Sequence, residues 1–407
     1  MQVELEPIHS CVAALDVHLN KVVVCVIRAQ GDGPPEVTTR EFGGFKRDRR
    51  AMAEWVAAYA PQAVTMESTG IYWKSPYAAL ERVGIRAKVV NAQHVAKVEG
   101  RKTDICDAQW LAMLTRAGLL RGSFIAHESV RHLRLIARYH DRLTSMLAAE
   151  KNRLLKVLGD GGMRLSAIVS DPHGKACRTM IGLVLQGAEP EQAVRFAGRL
   201  KAPRAELQAS LDHELSDIHR FVALSMREHL EQIEQRLAQL EQRLFDELRP
   251  LEPLVELLLT VPGMDRLGIA KLLVEIGPDM GAFASAGRLA AWCGVCPGND
   301  RSAGKQRRAR TLKGNPYVRR VLIEMANAAV KTQCYLREKF RSLLVRMGHK
   351  RAIVAIAHKL IKLSFVILSR HVPYHDHSAD FEALRVKRNA PRWLKQLIKH
   401  GHLPAAV

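Results

Sequence analysis

Acidic side chains are what this 407-residue sequence is short of. Against 62 lysines and arginines stand 41 aspartates and glutamates, leaving a formal charge of +21 at pH 7 and an isoelectric point near 10.0. That imbalance favours a polyanionic partner, nucleic acid before any other. A disulfide pattern is also missing. The seven cysteines, at 11, 25, 106, 177, 293, 296 and 334, are odd in number and unpatterned, which points to free thiols in a reducing compartment. Cys293 and Cys296 make a CxxC, but no second pair accompanies it, so zinc lacks half of its ligands there. An export signal is not visible, because Asp16, His18, Asn20 and Lys21 interrupt the apolar run from Cys11 to Ile27, and a cytoplasmic location is expected. The second long apolar run, from Ala352 to Ser369, carries His358, Lys359 and Lys362 and reads as a core-packing helix rather than a membrane span.

What is present suffices for two or three domains with cores, since 47% of the residues are hydrophobic. In the first 120 residues, CVAALDVHLNKVVVCVIRA reads as two β-branched runs joined by a tight polar turn at His18–Lys21, and EVTTREFGG supplies a third strand. A helix over 47–59, a buried strand over 63–68, a helix over 74–83 and a strand at IRAKVVNA follow. Three strands, then helix, strand, helix, strand, helix is the order of an RNase H-like α/β domain. The middle of the chain differs. Positions 133, 136, 140, 143, 147 and 154 keep a heptad beat, as do Leu230, Ile233, Leu237, Leu240, Leu244, Leu248 and Leu251. These predict a long-helix coiled-coil hairpin whose intervening segment is a compact insertion at its tip; whether it closes on itself or on another subunit stays open. The rest predicts a mainly α-helical C-terminal domain. The expected division is 1–125, 126–255, 256–370 and a basic tail over 371–407.

Within this frame four carboxylates stand out. Asp16 lies inside the first strand and Glu67 closes the fourth; each is costly to bury unless paired or bound to a cation. In GRKTDICDAQWLAML, with Thr103 as N-cap, a helix starting at Asp104 would put Asp104 and Asp107 on one face of its first turn. Acids in a first turn are also ordinary helix starters, favoured by the macrodipole. At these fold positions, however, the four can meet at one sheet edge, and hard oxygen ligands suit Mg²⁺ or Mn²⁺, two ions of which would clamp a phosphodiester. Glu99 has no matching strand position and reads as solvated.

Basic residues supply the candidate nucleic-acid surface: Lys97, Arg101 and Lys102 beside the aspartate pair, then Arg301, Lys305, Arg307, Arg308, Arg310, Lys313 and Arg319 with Asn315 among them. The window 301–320 contains no acid. Ser302 lies in it, flanked by Asn299, Asp300, Ala303 and Gly304, and is expected on an exposed turn with no neighbouring histidine to make a protease-like triad. VPGMDRLGIAKLLVEIG resembles a helix-hairpin-helix element. His371, His375 and His377 fall in a polar stretch with Pro373 and no cysteine, which reads as a surface linker.

The motifs ALDVHLNKVVVCV, MESTGIYW and VEGRKTDICDAQWLA, together with LAAWCGVCPGNDRSAGKQRRARTLKGNPYVRRVL, resemble the DEDD transposases of the IS110 family of bacterial insertion sequences, over about Val12 to Leu368. The resemblance implies a RuvC-like metal domain with Asp16, Glu67, Asp104 and Asp107 as ligands of Mg²⁺, two ions with Mn²⁺ as an alternative, and Ser302 as the nucleophile. Ala303 stands where many members have glycine. It further implies recombination of donor and target DNA through a phosphoserine bond, site choice by a structured bridge RNA, and a homodimer that assembles to a tetramer in the bacterial cytoplasm at the nucleoid, with no membrane. Two other readings stand beside it: a RuvC-like junction endonuclease that activates water, and a non-catalytic nucleic-acid-binding scaffold.

Overall fold

The structure is a computed structural model. It describes residues 7–404 except 32, 69, 92–94, 96–105, 299–300, 303–304, 307–310 and 312, with backbone alone at 301, 302, 305, 306, 379, 381, 382, 384 and 385. The chain divides into two compact units, Met1–Ile125 and Ala126–Val407.

The first unit grows from its β-branched runs. β1 (Cys11–Val17) and β2 (Lys21–Arg28) form an antiparallel hairpin whose turn is closed by the His18 amide donating to the Lys21 carbonyl at 2.9 Å. β3 (Glu36–Gly43) pairs antiparallel with β2, whereas β4 (Ala63–Glu67) and β5 (Lys88–Val90) run parallel to β1. The order β3-β2-β1-β4-β5 is that of an RNase H-like sheet. β1 is buried on both faces because helices cover both. On one, Ala13, Leu15 and Val17 pack in a core with Met52 and Val56 of α1 (Lys46–Ala58) and Leu80 of α2 (Lys74–Arg82). On the other, Val12 and Ala14 share a core with Trp110, Leu111 and Leu114 of α3 (Asp107–Arg116).

The second unit is helical, with the β-hairpin described below as its sheet element. Two long helices, α4 (Leu133–Asp160) and α6 (Asp217–Leu248), pack as an antiparallel pair: Leu133 and Ala137 share a core with Leu244 and Leu248, Leu143 meets Ile233 and Leu237, and Leu154 and Leu158 lie with Ala223 and Leu230. Between them α5 (Lys175–Leu185) and shorter helices fold onto the far end of the pair through Met180, Ile181, Val184, Leu207 and Leu211, as a compact insertion. Beyond lie α7 (Glu252–Leu259), α8 (Arg266–Ile276), α9 (Ala286–Trp292), α10 (Pro316–Ala329), α11 (Tyr335–Met347) and α12 (His349–Arg370). By length and composition α12 is apolar enough to cross a membrane, yet it buries Ile353, Ile356, Leu360, Ile361, Ile367 and Leu368 among its neighbours. The stretch that carries His371, His375 and His377 is an exposed connection, as its polar sequence suggested. That description fits 371–377 only, after which α13 (Ser378–Lys399) forms. Pro391 within it reads as a breaker, but Val386, Trp393 and Leu397 recur on one side and Arg388, Arg392, Lys395 and Lys399 on the other, which is helical periodicity.

Candidate active site

Asp16 is the last residue but one of β1 and Glu67 the last of β4. The parallel register pairs Leu15 with Met66, so each acid sits one step beyond that pair on adjacent strands, with backbones about 4.8 Å apart. The third acid arrives on α3. Cys106 is the N-cap, in extended conformation at φ −65°, ψ 155°, and its carbonyl accepts from the Trp110 amide at 3.0 Å, making Asp107 the first helical residue. This corrects the expected start at Asp104 with Thr103 as cap: the extended Cys106 backbone interrupts any helix that would run through both aspartates. Asp104 and Thr103, like Lys97, Glu99, Arg101 and Lys102, lie outside the described residues. Apolar packing of Ala108, Trp110 and Leu111 against the sheet fixes where the helix begins, and so where Asp107 stands.

Electrostatics tie the three together. Burial pushes the Glu67 carboxyl above its ordinary range, and the negative charges of Asp16 and Asp107 push it the same way. His18 opposes them. Its Nε2 lies 3.0 Å from Asp16 Oδ2, two residues along the chain, and its electrostatic influence lowers Glu67. Nothing in the sequence pattern marked His18; its two-residue spacing from Asp16 over a hairpin turn was the available signal. Among the described residues no group of three or more histidines, cysteines or acids is gathered closely enough to hold a metal ion. The acids thus feel one another without sharing a coordination sphere. Mutually repelling, partly buried carboxylates are a donor set that a hard divalent cation fits, since it would relieve both the repulsion and the desolvation.

The serine belongs to the second unit. Its backbone ends β6 (Arg301–Ser302), which pairs antiparallel with β7 (Lys305–Gln306), Ser302 opposite Lys305. The Pro297–Thr311 bridge continues the ladder toward its base. The Ser302 backbone is therefore in a paired strand rather than in a free loop. The base is held closely. A Cβ on Gly314 would stand 2.2 Å from the Gly294 amide nitrogen, so only glycine permits that crossing. Next to it the Asn315 amide donates to the Trp292 carbonyl at 3.0 Å. Asn315, expected at nucleic acid, is held within the fold. Its Oδ1 accepts from the Tyr317 and Val318 amides as the N-cap of α10, and its Nδ2 donates to Glu275 Oε2 at 2.7 Å, which commits the side chain to the fold. Lys313 and Arg320 are exposed and Arg319 half-buried; Arg307, Arg308 and Arg310 lie outside the described residues, as do the side chains of Arg301 and Lys305.

Glu275 is the centre of a network with no signature in the sequence. It is 2% exposed, yet Arg138 donates to both its oxygens at 2.7 and 3.0 Å, Arg134 donates to its backbone carbonyl at 2.6 Å, and the Arg138 guanidinium lies 4.3 Å from the Tyr317 ring centre. Long helix α4, helix α8 and the start of α10 are joined through these contacts. The glycine turn between α7 and α8 is likewise structural: a Cβ on Gly263 would strike the Ala329 backbone nitrogen at 2.3 Å, so that turn is packed against α10 rather than free for phosphate.

Residues 13–161 match a family model for DEDD transposases of IS110, and residues 255–341 match the model of the transposase IS116/IS110/IS902 family. The chain is 25% identical over 226 residues to an uncharacterized 42 kDa protein of insertion element IS900 from Mycobacterium paratuberculosis, an alignment that covers 53% of this chain and 50% of that protein. Solved structures of Thermus thermophilus RuvC, and of the T. thermophilus protein with a Holliday junction substrate, align with 28% of this chain and with 99% and 100% of theirs. Identities are 14% and 13%, and the TM-score is 0.22 for each.

Proposed function

This chain belongs to the IS110 family of insertion-sequence transposases, and from that premise we propose that it cuts and rejoins DNA, with Asp16, Glu67, Asp104 and Asp107 at the cutting edge and Ser302 as the attacking group. The observation that carries this reading is the response of Glu67 to Asp16 and Asp107, three acids brought by two strands and a helix to one edge of a sheet of RNase H order. These carboxylates would hold Mg²⁺ or Mn²⁺, most simply two ions, which when bound stabilise charge on the attacking and leaving oxygens of a phosphodiester. Ser302 Oγ loses its proton and bonds to phosphorus as the bond to one DNA oxygen breaks, and that oxygen leaves as a hydroxyl. The phosphoserine keeps the energy of the broken bond, so a hydroxyl of the partner strand can reverse the attack without ATP.

Donor and target DNA would be selected by a bridge RNA, with Lys97, Arg101, Lys102, Arg301, Lys305, Arg307, Arg308, Arg310, Lys313 and Arg319 meeting phosphates. A dimer that assembles to a tetramer fits the exposed apolar stripe of α4, where Leu135, Tyr139 and Met146 face away from the seam with α6; we read the α4–α6 pair as a coiled-coil arm for that assembly. A bacterial cytoplasmic setting follows from acting on the nucleoid. Asp16→Asn combined with Asp104→Asn should abolish strand cleavage while leaving DNA binding nearly intact; full cleavage by that double variant would show that the carboxylates do not form the cutting site. Cleavage to free, hydrolysed ends would instead favour the junction-endonuclease reading.

A further inference from the structure

The sheet edge that carries Asp16 and Glu67 also bears four of the first unit's exposed large apolar side chains. Leu19 in the β1–β2 turn is 65% exposed, Phe45 just beyond β3 is 73% exposed, and Ile71 and Tyr72, a few residues after Glu67, are 69% and 39% exposed. β1, β3 and β4 run the same way, so their C-terminal ends share this edge and the four side chains flank the acids on both sides. Two of the loops close on each other. A Cβ at Gly44 would lie 3.0 and 3.1 Å from the Leu19 and Asn20 carbonyl oxygens, so the β3 exit passes directly over the turn that bears Leu19. One exposed leucine needs no explanation, but four such side chains from three loops around one acidic edge do. Positive charge accompanies them. Phe45 is followed by exposed Lys46 and Arg47 in the first turn of α1, the positive end of the helix dipole.

Aromatic and aliphatic faces interleaved with cations are the chemistry that holds an unpaired nucleic-acid strand, with bases stacked on the rings and phosphates met by the charges. Bases within an intact duplex stack on one another and have no free face to offer. We infer that Leu19, Phe45, Ile71 and Tyr72 form a collar for unpaired nucleotides of DNA, with Lys46 and Arg47 on the adjoining phosphates, and that the chain acts on DNA already opened at the cleaved step. This rests on the reading that the Asp16–Glu67 edge is where DNA is cut. Phe45 and Tyr72 supply the stacking faces; Leu19 and Ile71 keep water from the rims.

The test uses the full chain and a DNA duplex with a four-nucleotide mismatched bubble that contains 2-aminopurine. Wild-type protein should change the fluorophore's emission and bind the bubble about tenfold or more tightly than the paired duplex. Phe45→Ala with Tyr72→Ala should lose both the emission change and the preference, with an unaltered thermal midpoint. Equal binding of bubble and duplex by the wild type would overturn the collar, as would an emission change that survives in the double variant or one seen only with the same bubble made of RNA. Asp16→Asn separates the two readings. If it still cuts, the cutting-edge reading fails, while the fluorescence, measured without cleavage, continues to decide the collar.

Discussion

Glu67 is the residue at which folding and chemistry conflict. Its carboxyl is raised by burial and by Asp16 and Asp107, so without metal the folded chain binds that proton more tightly than the unfolded chain does. In the window from the ordinary glutamate range upward to the raised value, the native state binds more protons, and stability falls as pH rises. Glu67→Gln should flatten that part of the pH dependence of metal-free unfolding and stabilise the protein above it; an unchanged slope would show that Glu67 is not the group responsible. Glu275 presents the opposite case, a buried acid fully matched by Arg138 and Asn315. Removing it as Glu275→Ala leaves a guanidinium without its counter-charge and should cost about 3 kcal/mol. Asn315→Ala loses an N-cap and should cost about 1 kcal/mol. Denaturant unfolding of the two variants gives the order; a larger loss for Asn315→Ala would contradict the central place of Glu275.

Among the elements, the hairpin that carries Ser302 depends on a close approach of backbone to backbone. In Gly314→Ala the new methyl would meet the Gly294 nitrogen at 2.2 Å and the Trp292 carbonyl oxygen at 2.5 Å. Neither can move as a flexible side chain would, so a loss of about 3 kcal/mol or a displaced hairpin is expected, read by thermal unfolding and by protection of the Asn315 amide from hydrogen exchange. Elements with a strong period were legible in the sequence: the β1–β2 hairpin, α1, α2 and α4 occupy nearly the spans that alternation and helical spacing predict, whereas the heptads of α6 begin only at Leu230, well inside a helix that starts at Asp217. Asp16 and Glu67 were legible too, because an acid inside an apolar strand conflicts with its surroundings. Features set by long-range contact were not. The start of α3 follows from packing on the sheet and from an extended Cys106, and the bond from Asn315 Nδ2 to Glu275 joins residues forty positions apart.

On the scale of the whole molecule, charge is the leading property. With a formal +21, the proposed binding of DNA would be a matter of counterion release. If six to ten phosphates are met, affinity should fall by roughly a thousandfold or more between about 50 and 200 mM salt. Lys313→Ala should lower the slope of that salt dependence by about one without changing sequence preference; a slope equal to that of the wild type would remove Lys313 from the surface.

In the proposed mechanism this surface brings DNA to Ser302, which becomes covalently joined to the cut end. Protein incubated with donor DNA, target DNA, Mg²⁺ and its RNA is denatured and digested, and the DNA-linked peptide is identified by mass. The expected result is a denaturation-resistant adduct on Ser302 that disappears, together with recombination, in Ser302→Ala. Continued cutting by Ser302→Ala to free ends, with no adduct at any time, would contradict the serine mechanism.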